Sequence, residues 1–120
     1  VVNSKILLVG MTYKEDSDDL RESPALEIYH ILKKKGANVS YVDPYIESIR
    51  YRDEKVYRSE LTQNLLEQQD IVVISTHHKI VNYEQIKQYA SVIYDTRNVY
   101  SNQDDSKIYR LGERIEQKNL

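Results

Sequence analysis

The stretch Ile71-Val-Val-Ile-Ser75 most constrains what this chain can fold into. Its four consecutive β-branched residues favour an extended backbone, and none of them leaves a polar face for water. A strand of that kind is buried on both sides, which implies a parallel sheet covered by helices. Lys5-Ile-Leu-Leu-Val-Gly10 repeats the pattern, Asn38–Val42 reads as another strand, and Ser91–Tyr94 and Ile108–Leu111 supply a fourth and a fifth. Between the strands the period changes. Ala25, Ile28, Tyr29 and Leu32 fall at i, i+3, i+4 and i+7, one face of a helix. Leu61, Leu65 and Leu66 mark a short helix running to about Gln69, after a polar, charge-balanced stretch, Tyr45–Glu60, read as loop. Asn82 and Gln85 have capping-box spacing, with Val81 and Ile86 as the hydrophobic staple of a helix ending near Tyr89. The expected fold class is α/β: a three-layer, doubly wound sheet, mostly parallel, of about five strands joined by right-handed crossovers.

The rare backbone punctuators agree with this order. Ser23 precedes Pro24 where a helix takes Ser as N-cap and Pro as its first residue. Gly36 follows three lysines, a cationic last turn stopping at a glycine in the C′ position. Gly10, Pro44 and Gly112 close strands. Of 120 residues, 33 are Ile, Leu or Val, while Phe, Trp and Cys are absent and every aromatic is one of 11 tyrosines. The core is therefore aliphatic, with hydroxyl-bearing rings at its margins. The absence of Cys excludes a disulfide scaffold, a thiol nucleophile and the commonest zinc sites within this chain, and fits a reducing, cytoplasmic setting. A net charge of −2 with both signs mixed gives no footprint for nucleic acid or an anionic membrane. No apolar run reaches the ~18 residues of a membrane span, and no signal peptide opens the sequence. The chain begins at Val1 with almost no lead-in to the first strand, and we read it as a piece of something longer.

In doubly wound sheets ligands bind beyond the carboxyl ends of the strands, here Gly10–Ser23, Asp43–Pro44, Ser75–Lys79 and Asp95–Asn98. The first loop imitates a dinucleotide fingerprint but has no second or third glycine, and bulky side chains would keep a pyrophosphate from its amides. Asp43 lies 33 residues after Gly10, beyond the ~20 expected of a ribose-binding acid, and reads as a turn residue before Pro44. Self-contained NAD binding through this loop is rejected. The loop does offer Lys14, a movable point charge for a phosphate oxygen, and Arg21, a rigid fork for a bidentate anion, with Tyr13 able to stack on a base or sugar. Composition alone reads the same loop as a solvated run of paired charges. Arg97, in Asp95-Thr-Arg-Asn98, falls at the same edge, either reaching a ligand or belonging to an Asp95–Arg97 turn capped by Asn98. Thr76-His77-His78 reads as polar residues at a strand exit, since adjacent histidines on an extended chain chelate poorly. His30 belongs to a helix surface. No metal site, Ser–His–Asp set or paired-carboxylate site is evident.

Gly10-Met-Thr-Tyr-Lys14, Asp19-Leu-Arg-Glu-Ser-Pro-Ala25, Gly36-Ala37, Asp43-Pro44, Asp95-Thr-Arg-Asn98 and Tyr109-Arg-Leu-Gly112 stand in register from about Lys5 to Gly112. Together they resemble the carboxyl-terminal, Rossmann-like domain of the UDP-glucose/GDP-mannose dehydrogenases. Thr76-His77-His78 with Asp95–Asn98 is more similar to the branch that oxidises UDP-N-acetylhexosamines. The resemblance implies that residues 1–112 form a UDP-binding domain; the remaining residues, 113–120, read from their composition as a polar tail expected to fray. It implies an NAD-dependent 6-dehydrogenase that takes a UDP-sugar's primary alcohol to the carboxylate with two NAD, through a cysteine in a central region. NAD would be held by an amino-terminal domain, and the whole enzyme would be a homodimer or larger. By the same resemblance Tyr13, Lys14 and Arg97 contact substrate and Arg21 helps hold the cofactor; no catalytic residue lies in this chain. Two other classes of function stay open: a stand-alone nucleotide-binding or regulatory module without catalysis, and a structural domain that closes a larger enzyme.

Overall fold

A computed structural model of the protein describes residues 2–101, 103 and 105–110. The elements run β1 (Lys5–Val9), α1 (Pro24–Lys34), β2 (Asn38–Val42), β3 (Ser48–Tyr51), β4 (Glu54–Tyr57), α2 (Gln63–Glu67), β5 (Ile71–Ile74), α3 (Tyr83–Tyr89), β6 (Ile93–Asp95) and β7 (Ile108–Arg110). Five of the strands form one sheet in the order β2-β1-β5-β6-β7, every neighbouring pair parallel. The three-layer, doubly wound α/β fold read from the sequence is the fold observed. From β1 the chain steps to β2 on one side, then crosses back to β5 on the other. That reversal puts a crevice at the carboxyl ends of β1 and β5.

Alternation along β1 builds both outer layers. Ile6 and Leu8 join Ala25 and Tyr29 of α1 in one buried cluster, while Leu7 and Val9 join Leu66 of α2 and Ile86 of α3 in the other. Helix α1 is framed as its sequence demands. The Ser23 hydroxyl accepts from the Leu26 amide at 3.2 Å, and Pro24 occupies the first helical position. At the far end Gly36 has φ +91°, its N–H reaches the Lys33 carbonyl, and the Ala37 N–H reaches Leu32. Those two bonds make a Schellman motif, with Leu32 packed against the cluster that holds Ala37. Asn82 caps α3 by accepting from the Gln85 amide at 3.1 Å.

Boundaries shift by one or two residues: α2 begins only after its N-cap, Thr62, and ends at Glu67, β5 stops at Ile74, and β6 runs from Ile93 to Asp95. The larger correction is at Tyr45–Glu60. This stretch is not loop throughout; β3 and β4 pair antiparallel around Arg52-Asp53. Both turn residues have left-handed φ, 50° and 64°, as a type I′ hairpin requires. Ile49, the second residue of β3, is buried opposite Val56 and seats the hairpin against the α1 side of the sheet. Without an Asn-Gly or Asp-Gly pair, the turn carried no sequence signal. Gly112 and the tail 113–120 lie outside the described residues.

Candidate functional site

Gly10 governs how the chain leaves β1. Its φ is +90°, and a Cβ there would sit 2.5 Å from the Thr76 Cβ and 2.8 Å from that residue's backbone N and O. Glycine is needed because the exits of β1 and β5 pass in contact. The amides that would meet a pyrophosphate are already used: Gly10 N–H donates to the Val42 carbonyl at 2.9 Å and Met11 N–H to Asp43 Oδ2 at 2.7 Å. Asp43 Oδ1 accepts from the Tyr45 amide at 2.8 Å, so Asp43 is the turn residue expected and an anchor besides. The first two amides of this turn are thus not free to meet a pyrophosphate.

The strand exit Thr76-His77-His78 departs from its reading as a merely polar segment. His78 is fully buried, as are Thr12 and Thr76, with Asp43 nearly so. His78 Nε2 stands 3.0 Å from Asp43 Oδ2, and Nδ1 accepts the Asp16 N–H at 2.9 Å. A donor facing Nδ1 leaves that nitrogen without a proton, so the ring is the neutral Nε2–H tautomer rather than half of an ion pair. The Tyr83 hydroxyl accepts the His78 amide at 2.8 Å, and burial pushes its phenol up to about 12. His77 turns the other way, its ring 5.1 Å from that of Tyr83. Sequence periodicity could not have found His78, because its partners lie 35 and 62 residues away. His30 is on the exposed side of α1, as expected. Among the described residues no group of His, Asp or Glu is placed to hold a metal ion.

Beside this buried cluster, Tyr13, Lys14, Asp19, Arg21 and Glu22 line an open cleft of about 390 Å³. Three of the four expected site residues therefore share one cavity. The fourth, Arg97, lies behind it: its Nε donates to the Ser75 carbonyl and its guanidinium to the Tyr13 carbonyl, each at 3.0 Å, with the Tyr13 ring centroid 5.8 Å from its central carbon. Arg97 is aimed by its own turn, because Asp95 Oδ1 accepts from the amides of Arg97 and Val99, and Oδ2 from Tyr100. The turn expected at Asp95–Asn98 is present, capped by the Asp95 carboxylate rather than by Asn98.

The cations at this edge are not alike. Lys14 has no ion-pair partner among the described residues. Arg21 is committed to Asp19 through a forked pair, Nε at 3.0 Å and the terminal nitrogen at 2.8 Å, and the hydrogen bonds from Arg21 lower the Asp19 carboxyl to about 2. A second cleft, about 480 Å³, opens between the exit of β2 and the start of α3. Its cation, Arg58, already donates to the carbonyls of Asp43 and Pro44. An anion meets Lys14, without an ion-pair partner, in the first cleft, and in the second Arg58, held by two backbone carbonyls.

A doubly wound parallel sheet with a cation-bearing cleft at its reversal point defines a nucleotide-type α/β domain. Residues 7–102 match the UDP-glucose/GDP-mannose dehydrogenase family, UDP binding domain, and the chain belongs to that family. It is 31% identical over 121 residues to a UDP-N-acetyl-D-mannosamine dehydrogenase of Methanocaldococcus jannaschii, covering 91% of this chain and 27% of that protein. It is 32% identical over 124 residues to a UDP-glucose 6-dehydrogenase of Rickettsia typhi, covering 92% and 28%. Among solved structures, the UDP-N-acetyl-mannosamine dehydrogenase of Staphylococcus aureus superposes with a TM-score of 0.71 at 27% identity, over all of this chain and 29% of that one. The chain thus spans roughly a quarter of these relatives. With 31% and 32% identity to relatives named for different sugars, the comparison gives the family and not the branch.

Proposed function

We propose that this chain is the nucleotide-sugar side of the cleft in an NAD-dependent UDP-sugar 6-dehydrogenase, an oxidoreductase converting the primary alcohol of a UDP-hexose or UDP-N-acetylhexosamine to the uronate. The carrying observation is Lys14, a cation without an ion-pair partner, placed in the cleft with Tyr13 at the sheet's reversal point. In this reading Lys14 meets a diphosphate oxygen and Tyr13 stacks on or bonds to the base or sugar. Arg97 fixes the Tyr13 backbone and adds charge, and Arg21 reaches the dinucleotide held by the rest of the parent enzyme. The chain contributes no cysteine, and the Gly10 and Met11 amides are already bonded within the fold, so in this reading the oxidation belongs to the parent's other domains. A cytoplasmic homodimer or larger assembly is part of the same reading. No helix among the described residues is long and apolar enough to cross a membrane.

Titrating UDP into the labelled chain and following amide resonances tests this. With half a cleft present, binding should be millimolar, about 4 kcal/mol, and weaken with salt because the site is open. Shifts should gather at Tyr13–Lys14 and Arg97–Asn98, and no UDP-sugar should reduce NAD on the chain alone. Shifts confined to Asp43 and the cleft beside it, or tighter binding of NAD than of UDP, would overturn the assignment.

A further inference from the structure

We propose that His78 is a positioning residue: with Asp43 it clamps both ends of the Met11–Asp16 segment and so sets where Tyr13 and Lys14 stand. The inference rests on the proposed function only in taking Tyr13 and Lys14 as the ligand-contacting pair.

Among the described residues, every hydrogen bond that ties this segment to the rest of the fold uses a side chain on at least one side. Asp43 takes the Met11 amide, Thr76 donates to the Thr12 carbonyl, and Ser23 to the Met11 carbonyl. Arg97 donates to the Tyr13 carbonyl, His78 takes the Asp16 amide, and Asp16 in turn accepts the Lys79 amide. The sheet's own ladder does not specify the loop. Its shape depends on a few side chains, and of these His78 alone joins two anchors into one unit. Its Nε2–H goes to Asp43, which holds residue 11, and its Nδ1 holds residue 16. Thr12 Oγ1 lies 3.4 Å from the same Nε2 and donates to the Lys14 carbonyl at 2.6 Å, carrying the linkage to the lysine itself.

The ring is itself held. Tyr83 accepts the His78 amide, and the Tyr45 ring packs edge-on with centroids 4.9 Å apart. A buried imidazole with no other neighbours to serve would be replaceable by an aliphatic side chain. Here each nitrogen has a partner of the complementary kind: removing Nδ1 takes the acceptor from the Asp16 amide, and removing Nε2 takes one of the two donors from Asp43 Oδ2.

Three variants separate the two nitrogens. His78→Asn can keep an acceptor where Nδ1 stands but loses the reach to Asp43. His78→Gln can keep the donor to Asp43 but withdraws the acceptor from Asp16. His78→Leu fills the space with neither. In the labelled wild-type chain the ring spectrum should show a protonated Nε2 and a bare Nδ1. In His78→Gln and His78→Leu, exchange of the Asp16 amide should quicken about tenfold while amides of β1 and β5 keep their protection. Resonances of Tyr13 and Lys14 should move, and the apparent Kd for UDP should rise about fivefold, the loss of one good hydrogen bond. His78→Asn should recover much of the Asp16 protection. A merely structural role would lower the unfolding midpoint and leave the folded loop and its UDP affinity alone. Unchanged Asp16 exchange in His78→Gln, or a protonated Nδ1 in the wild type, would overturn the proposal even if His78→Leu fails to fold. If the wild type takes no UDP, the functional reading falls, while the exchange and ring measurements still decide the clamp.

Discussion

The two halves of the loop between β1 and α1 each carry one cation among acids and lead opposite lives. Residues 11–16 are pinned to the exits of β2, β5 and β6 through Asp43, His78, Thr76 and Arg97. Residues 17–22 turn on themselves: Ser17 accepts the Asp19 amide, Asp19 accepts the Arg21 amide, and Arg21 closes back on Asp19 with 88% of its side chain in solvent. Lys14 therefore projects from a fixed base, and Arg21 from an exposed arm that must trade one carboxylate for any other anion. A clamped cation supplies geometry, whereas a self-paired one supplies an exchangeable charge. This division suits the roles proposed for them, substrate for Lys14 and cofactor for Arg21.

The contrast predicts where damage is severe. Gly10→Ala should be the worst. It forces a left-handed φ on a residue with a side chain, about 1–2 kcal/mol, and drives the new methyl into the Thr76 backbone, which cannot move without disturbing the exit of β5. A loss of about 4 kcal/mol by chemical denaturation is expected. A loss of only about 1 kcal/mol would mean that the two strand exits are not in contact.

Asp43→Ala comes next. It strips acceptors from the Met11 and Tyr45 amides and from His78, three donors in or near the core. At about 1 kcal/mol or more for each donor left unmet, roughly 3 kcal/mol should be lost. The same variant should broaden the Tyr13 and Lys14 resonances and leave those of residues 17–22 sharp. Broadening across both halves would erase the distinction between them.

Ser23→Ala should cost about 2 kcal/mol, more than an ordinary cap, because the hydroxyl both caps Leu26 and donates to the Met11 carbonyl. The cap itself was legible: a Ser-Pro pair before an apolar helical period needs no tertiary information. So were the five strands, whose apolar runs report burial on both faces. The second bond of Ser23 was not, since it depends on how the end of β1 passes the start of α1. The hairpin was hidden because Arg52-Asp53 adopts a turn usually announced by Asn-Gly. The His78–Asp43 pair was hidden because β2 and β5 flank β1 only once the sheet order is known. Tyr13, Lys14 and Arg21 were readable as a charged strand-end loop, and topology then brought Arg97 to them across β5. The pairing of Arg21 with Asp19 matches the plainer reading of that loop, as a run of mutually satisfied charges.

The smallest effect sharpens the comparison most. Hydrogen bonds from the Arg21 guanidinium, then from its backbone amide, lower the Asp19 carboxyl from 3.8 to about 2. A carboxyl depressed by folding contributes stability above its unfolded value, and that contribution is lost as pH falls from about 3.8 towards 2. Arg21 is exposed and Asp19 partly so, so water and salt screen the pair, and Arg21→Ala should leave the unfolding midpoint at neutral pH unchanged within error. The titration is the better probe. The Asp19 side-chain carbon, followed by NMR, should show a midpoint near 2 that Arg21→Ala returns towards 3.8. An anion that draws Arg21 away must also raise that midpoint, because the carboxylate loses its donor. If UDP occupies Lys14 alone, UDP should leave the Asp19 midpoint in place, and a dinucleotide engaging Arg21 should move it upward. A midpoint that UDP and NAD shift equally would mean that the two halves of the loop bind as one, and that the division of labour between Lys14 and Arg21 is wrong.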